Sequence, residues 1–287
     1  MTRKRLRDVG DIMPIVSILT AAYAPTATYL SETIASVREQ IPPTGWSLEW
    51  IVQEDGVDPR LADHVTELPY ARYQANNTRL GLSQTRNLGL SRAIGDLVQV
   101  LDHDDVLLPG ALATLVSRFV DYPIHWAIGQ ADDLTPDGTR VAYESALPYG
   151  VLPAGHVNAW ATEHDGNWPI HCAGLMMRTD YLRALGGWVA SPADDDVAMF
   201  AALSELTNGY NEPTVTWLYR HHPEQTHRTP EWRAWSTAGR RIALQRIAAV
   251  QGTGLYVDPE CSLPSDNGIN SPIEVGPLHA KKIHPGV

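Results

Sequence analysis

From residue 14 to residue 120 the chain alternates two kinds of block. Short runs of apolar and β-forming residues at 14–23 (PIVSILTAAY), 48–56 (LEWIVQEDG), 71–77 (ARYQANN) and 96–102 (DLVQVLD) predict strands. Between and after them, apolar residues at helical spacing predict helices over 28–41, 58–68, 81–95 and 110–120. Strands that alternate with helices predict a mostly parallel, Rossmann-like α/β sheet covered by helices on both faces. In such sheets ligands bind beyond the carboxyl ends of the strands. Two polar clusters, at 53–56 and 102–105, fall at such ends.

The second half is less regular. Residues 126–144 predict two strands joined by a Pro-Asp-Gly turn. Strands are expected at 172–178 and 214–220, and helices at 194–206 and 231–250. The segment 257–287 is rich in Pro, Gly, Ser and Asn, which predicts an extended or disordered tail. The expected organisation is an N-terminal arm (1–13), one domain at 14–225 with halves 14–105 and 106–225, a C-terminal helix (226–256) and the tail.

Composition narrows the function. A formal net charge of −11 over 287 residues argues against a nucleic-acid partner, which calls for a basic face. Two cysteines, Cys172 and Cys261, in no ligand spacing give neither a zinc site nor a disulfide framework. The basic start, MTRKRLRDVGDIMP, is not followed by a signal-peptide core, and IVSILTAAYA is too short to span a bilayer. A cytoplasmic protein without an integral membrane segment is expected, and a homodimer is compatible with the sequence. Nine tryptophans against two phenylalanines supply flat faces with polar edges, which suit sugars and bases as well as ordinary cores.

The sharpest chemical signal is LVQVLDHDDVLLPG, residues 97–110. Asp102, Asp104 and Asp105 follow a buried strand and would repel one another unless something positive sits among them. A divalent cation such as Mn2+ or Mg2+ prefers hard oxygen ligands and can hold a diphosphate at the same time. The D-x-D spacing puts two side chains on one side of an extended segment. Alone, the motif also fits a strand-end turn that caps a helix. It has company: Arg79 and Arg86 in TRLGLSQTRNLGL suit phosphate oxygens, and QEDGV supplies a further carboxylate.

These segments, in this order, resemble the inverting glycosyltransferases of family 2 with the GT-A fold. The likeness runs from PIVSILTAAYAPTATYLSETIASV through WIVQEDGV, NTRLGLSQTRNLGL and LVQVLDHDDVLLP to LGGWVASPADDDVAMFAAL, over roughly residues 14 to 225. It implies a GT-A sheet with a smaller acceptor-side region, a nucleotide diphosphate sugar donor (a UDP-sugar first), a hydroxyl acceptor such as a small soluble metabolite, and Mn2+ or Mg2+. Tyr23 then matches the aromatic that packs on the base, and Asp55 the carboxylate that reads it. Ala21 stands where many members have Thr, which removes one hydrogen bond to the nucleotide. Arg86 matches the diphosphate arginine. Asp104 matches the metal ligand, with Asp102 or His103 nearer the ribose and Asp102 a further candidate ligand.

Inverting transfer needs a carboxylate to take the acceptor proton opposite the leaving group. The family carries it in an acidic pair that opens a helix. In ADDDVAMFAAL this makes Asp196 the base, with Asp195 the alternative one residue away, and leaves Asp194 to cap the helix. Trp168 and His171 are expected at the acceptor pocket. Arg220, His222 and Gln225, in LYRHHPEQTHR, are expected in a loop that closes over the donor, with His222 a further metal candidate. Three rival functions fit less well. A haloacid-dehalogenase-type phosphatase carries its D-x-D at the start of the fold, and a nucleotidyltransferase needs a Gly-rich loop that TAAYAPTATY lacks. A non-catalytic sugar-binding relative should have lost the D-x-D or the base.

Overall fold

A computed structural model describes residues 13–255 and Val257. The N-terminal arm up to residue 12, the expected tail beyond Val257 and Cys261 lie outside the described residues. The chain forms, in order, β1 (Ile15–Tyr23), α1 (Leu30–Arg38), β2 (Ser47–Asp55), α2 (Ala62–Val65), β3 (Ala71–Ala75), α3 (Leu82–Arg92), β4 (Leu97–Val100), β5 (Val106–Leu107) and α4 (Ala111–Asp121). It continues with β6 (Trp126–Leu134), β7 (Arg140–Ala142), β8 (Gly150–Leu152), α5 (His156–Glu163), β9 (Leu175–Arg178), α6 (Thr179–Ala184), α7 (Asp195–Leu206), β10 (Gly209–Arg220) and α8 (Pro230–Thr253).

The strands make one ten-stranded sheet in the order β3-β2-β1-β4-β9-β6-β10-β5, with β7 beside β6 and β8 beside β10. Parallel pairing joins β3, β2, β1 and β4, and again β6 and β10. The antiparallel β9 between β4 and β6 brings these two sets into the same direction. The long strands therefore present their carboxyl ends at one edge, where a ligand site is expected.

Period-two alternation explains why the first strands are buried throughout. Leu19, Ile51 and Val98 face one core, with Trp126 and Phe200. Their neighbours Ile18, Trp50, Val52 and Leu97 face the other, with Leu112 and Trp217. Polar exceptions are paired: Ser17 Oγ donates to Glu49 Oε1 at 2.5 Å, and Trp50 Nε1 donates to Thr20 Oγ1 at 3.0 Å. Glu54, fully buried, accepts from the backbone N–H groups of Arg60 (2.9 Å) and Leu61 (3.0 Å) and from the Tyr73 hydroxyl (2.5 Å). Of the QED run, Glu54 thus holds the 57–61 loop and leaves Asp55 to the sheet edge.

The first half follows the sequence pattern closely, and the turn between β6 and β7 forms at Pro-Asp-Gly, where Gly138 has φ +83°. The second half departs from it. Cys172–Gly174 is a single 3-10 turn, so β9 starts only at Leu175. The expected strand at 214–220 starts earlier, at Gly209, and carries two register shifts between Asn211 and Trp217. Gly209 is required there: a Cβ would lie 2.1 Å from the Trp126 indole. The short elements β5, β8, α5 and α6 have too few residues to show a period.

His125, just before β6, is fully buried, and both ring nitrogens lack hydrogen-bond partners. Its ring meets the Tyr181 ring edge-on at 4.3 Å. Burial, and then the neighbouring Arg178, lower its pKa to about 4. The unfolded chain takes up this proton near pH 6.5, whereas the folded chain holds it off until about pH 4. Stability contributed by the neutral imidazole is complete above pH 6.5 and is lost as pH falls towards 4, by about 3 kcal/mol at most. Thermal melts of His125→Phe and the parent chain should therefore show a stability difference that shifts in favour of the variant between pH 6.5 and 4. A difference that stays constant over that range refutes the assignment.

Candidate functional site

A cleft of about 1120 Å³ opens at the carboxyl ends of β1, β2 and β4 and extends to the start of α7 and the segment after β10. Tyr23, Ala21, Asp55, Arg86, Asp102, His103, Asp104, Trp168, His171, Asp195 and Asp196 all line it. Arg220 and His222 do not; they sit behind Asp104.

At one end lie Tyr23 and Asp55, the adjacent last residues of β1 and β2. Asp55 accepts from the N–H groups of Leu80 (2.7 Å) and Gly81 (3.0 Å) and from Asn76 Nδ2 (3.1 Å), and pairs with Arg79 at 2.8 Å. The carboxylate thus builds the loop that enters α3. It also sets Arg79 over Tyr23, with Cζ 3.7 Å from the ring centroid. Arg79, which the sequence pattern offers with Arg86 for phosphate oxygens, lies beside the Tyr23 ring. Ala21 is buried, and its methyl group offers no hydrogen bond.

Arg86 is expected at a diphosphate, but its guanidinium is enclosed. It is only 2% exposed, donates to Asp102 Oδ1 at 2.8 Å and lies 3.5 Å from Asp195 Oδ2. Its Nε has no hydrogen-bond partner. The cation ties two strands of sequence logic together: the D-x-D at the end of β4 and the acidic opening of α7. Asp102 is consequently turned towards Arg86.

The remaining residues of the Asp-His-Asp-Asp run point elsewhere. His103 Nε2 lies 3.2 Å from Thr26 Oγ1. Asp104 Oδ2 lies 2.7 Å from Nε2 of His222, whose side chain is 1% exposed. Asp105 is buried, and accepts the Arg220 N–H at 2.9 Å. Burial, then Asp104 and Asp102, raise its pKa well above the carboxylate range. Asp105 is therefore a structural member of the run. Arg220, expected to touch the donor, is held by Glu32 (2.5 Å), the Asp104 carbonyl (2.8 Å) and the Tyr29 ring (4.3 Å). Gln225 lines the cleft and pins the same loop, donating to the Arg220 carbonyl at 2.7 Å.

The expected ligand set Asp102, Asp104 and His222 is not assembled as a triad: among the described residues no three acidic, His or Cys side chains converge on one point. The pair Asp104–His222 does converge. A carboxylate oxygen and an imidazole nitrogen side by side are donors that several divalent first-row metals accept.

At the far end stands the acidic opening of α7. Asp194 was expected to cap this helix. Its side chain makes no capping bond. It accepts from Ser236 Oγ at 2.8 Å and lies 3.5 Å from Arg240, which ties α7 to α8. Asp194 also has a left-handed backbone, φ +52°, which turns the chain into the helix. Asp195 is buried against Arg86, and burial is the main reason its pKa rises to about 6. Asp196 is half-buried, lines the cleft and accepts the Val197 N–H at 2.8 Å.

Trp168 and His171 both reach the cleft wall. Trp168 is largely buried, and its indole N–H donates to Asn158 Oδ1 at 2.8 Å. His171 is open to solvent through the cleft but crowded by protein around its ring, which lowers its pKa. The same wall contains Tyr219 and Trp232, which the sequence pattern did not single out, and His227, whose H-H-x4-H spacing with His221 and His222 suggests a minor metal reading in the sequence. They come from a strand end, a loop and a helix start, and only the fold unites them.

Comparison with known proteins follows this geometry. A stretch of the chain is 35% identical over 132 residues to an uncharacterized protein of Mycobacterium tuberculosis, covering 44% of this chain and 40% of that one. Another is 26% identical over 112 residues to human polypeptide N-acetylgalactosaminyltransferase 15, covering 38% and 18%. Matches of this kind span less than half of the relatives' own length. The fold is similar to that of Staphylococcus aureus TarS in complex with UDP, with a TM-score of 0.60 at 15% identity, over 82% of this chain and 64% of that chain. The model of the glycosyl transferase family 2 domain matches residues 17–186, more than half of the chain. With the sheet order, the Asp-His-Asp-Asp run and the acidic helix start all on one cleft, the chain belongs to glycosyl transferase family 2.

Proposed function

We propose that the protein transfers a sugar from a nucleotide diphosphate sugar, a UDP-sugar first, to an acceptor hydroxyl with inversion at the anomeric carbon. The observation that carries this reading is the placement of Asp104 and Asp196, from distant elements, on the same cleft. The nucleotide base lies against Tyr23 beside Arg79 and Asp55. Asp104 and His222 hold a divalent ion, which supplies positive charge for the departing diphosphate. Arg86 adds a buried cation and keeps Asp102 and Asp195 in place. Asp196 accepts the acceptor proton: it lines the cleft and is only half-buried, so an acceptor hydroxyl can reach it. Asp195, turned to Arg86, positions that cation.

The donor end is tested by titration. Calorimetry with UDP in the presence of Mn2+ should show tight binding that weakens at least tenfold in Asp104→Ala and in His222→Ala, and in the parent chain when the metal is chelated. Equal UDP affinity in all of these removes the metal from the reading. Release of UDP from a panel of UDP-sugars identifies the sugar, and NMR couplings of the product decide inversion.

Among the described residues no helix is long and apolar enough to cross a membrane.

A further inference from the structure

The acceptor end of the cleft is built differently from the donor end. The His171 and Tyr219 rings are tilted by 34° to each other, with ring centroids 4.7 Å apart. The Tyr219 hydroxyl is 3.4 Å from His227 Nδ1, and the His227 ring meets Trp232 at 6.3 Å. These four rings line the cleft together with Asp196, which lies near enough to His171 to act on its charge.

The charges at this end exclude an anion. Two arginines reach it among the described residues, and both are committed: Arg86 to Asp102 at 2.8 Å and Asp195 at 3.5 Å, and Arg240 to Asn167 at 2.6 Å and Asp194 at 3.5 Å. Burial lowers the pKa of both His171 and His227, so the wall is uncharged at neutral pH. Asp102, Asp194, Asp195 and Asp196 outnumber these two arginines and leave a negative field, which disfavours a phosphate or carboxylate on the acceptor.

We infer that the acceptor is a neutral glycoside, whose pyranose ring stacks on the wall of His171, Tyr219, His227 and Trp232 and offers a hydroxyl to Asp196. This rests on the transferase reading and names its acceptor class. Flat π-faces take up the apolar C–H face of a sugar ring. The imidazole nitrogens and the Tyr219 hydroxyl at the ring edges provide partners for several hydroxyls. A simple phenol fills the same plates but pairs with only one of those polar edges and leaves the rest desolvated, which disfavours it.

Binding can be read without any donor. Saturation-transfer NMR on the full chain, with methyl glucopyranosides, galactopyranosides and mannopyranosides as probes, should detect at least one neutral glycoside. Glucose 1-phosphate and resorcinol serve as the competing chemistries. Trp232→Ala should weaken the bound glycoside about tenfold, whereas Trp232→Phe, which keeps a flat face, should stay within about threefold of the parent chain. The inference is overturned if no neutral glycoside binds, if glucose 1-phosphate or resorcinol binds in preference, or if Trp232→Ala binds like the parent. UDP calorimetry on the same sample separates the two ideas. Glycoside binding without UDP binding sinks the donor reading alone; UDP binding without glycoside binding sinks the acceptor inference alone.

Discussion

Asp196→Asn is expected to slow sugar transfer by about 10² to 10⁴ while UDP binding survives, because removing a general base costs that range in rate without touching the donor end. The amide keeps the size of the side chain and can still accept the Val197 N–H that orients Asp196. It cannot take the acceptor proton. Asp195→Asn provides the contrast. Asp195 is buried and faces Arg86 at 3.5 Å. Its loss leaves Arg86 paired with Asp102 alone and should show mainly as weaker donor binding, with a smaller fall in turnover of bound substrates. Single-turnover rates with saturating donor and acceptor separate these effects. Near-parental turnover in Asp196→Asn, together with a dead Asp195→Asn, would assign the base to Asp195.

The residues that could be read from the sequence are those whose position follows from a strand end. Tyr23, Asp55 and Asp102 to Asp105 close apolar runs, so their placement on one edge follows from the parallel sheet alone. What was not legible is which atoms satisfy which. Asp55 is drawn inwards by the 76–81 loop, and Glu54, one residue earlier, by the 57–61 loop; the run QED looks uniform until the backbone shows which face each residue occupies. The partner of Asp104 is His222, 118 residues away, and no local pattern connects them. Asp194 was read as a helix cap from local chemistry, but tertiary contact with Ser236 and Arg240 won. The aromatic wall has no period at all, because its members come from separate elements.

Arg86→Met should be the most damaging single change to the fold of the site. The guanidinium is buried between Asp102 and Asp195, and breaking a buried ion pair by deleting one partner costs about 3–5 kcal/mol, since the other charge is left behind. Methionine fills much of the space, so the loss is one of charge more than of volume. For a chain of this size such a cost corresponds to a fall in Tm of roughly 10 °C. The pH dependence identifies the cause. In the parent chain burial raises the Asp195 pKa to about 6, and Arg86 already works against that rise. Without Arg86 the folded-state pKa climbs further. A raised carboxyl pKa means that the folded chain binds the proton more tightly than the unfolded chain. The resulting penalty is absent below the unfolded pKa of about 3.9 and complete above the folded one. The Tm gap between Arg86→Met and the parent should therefore be widest well above pH 6 and narrow as pH falls to about 6, below which Asp195 is protonated in the folded parent as well. The double variant Arg86→Met with Asp195→Asn should recover part of the loss at pH 7, because the stranded carboxylate is gone. A gap that is independent of pH, with no recovery in the double variant, would mean that Arg86 acts through packing against Trp188, 5.8 Å away, and not through its charge.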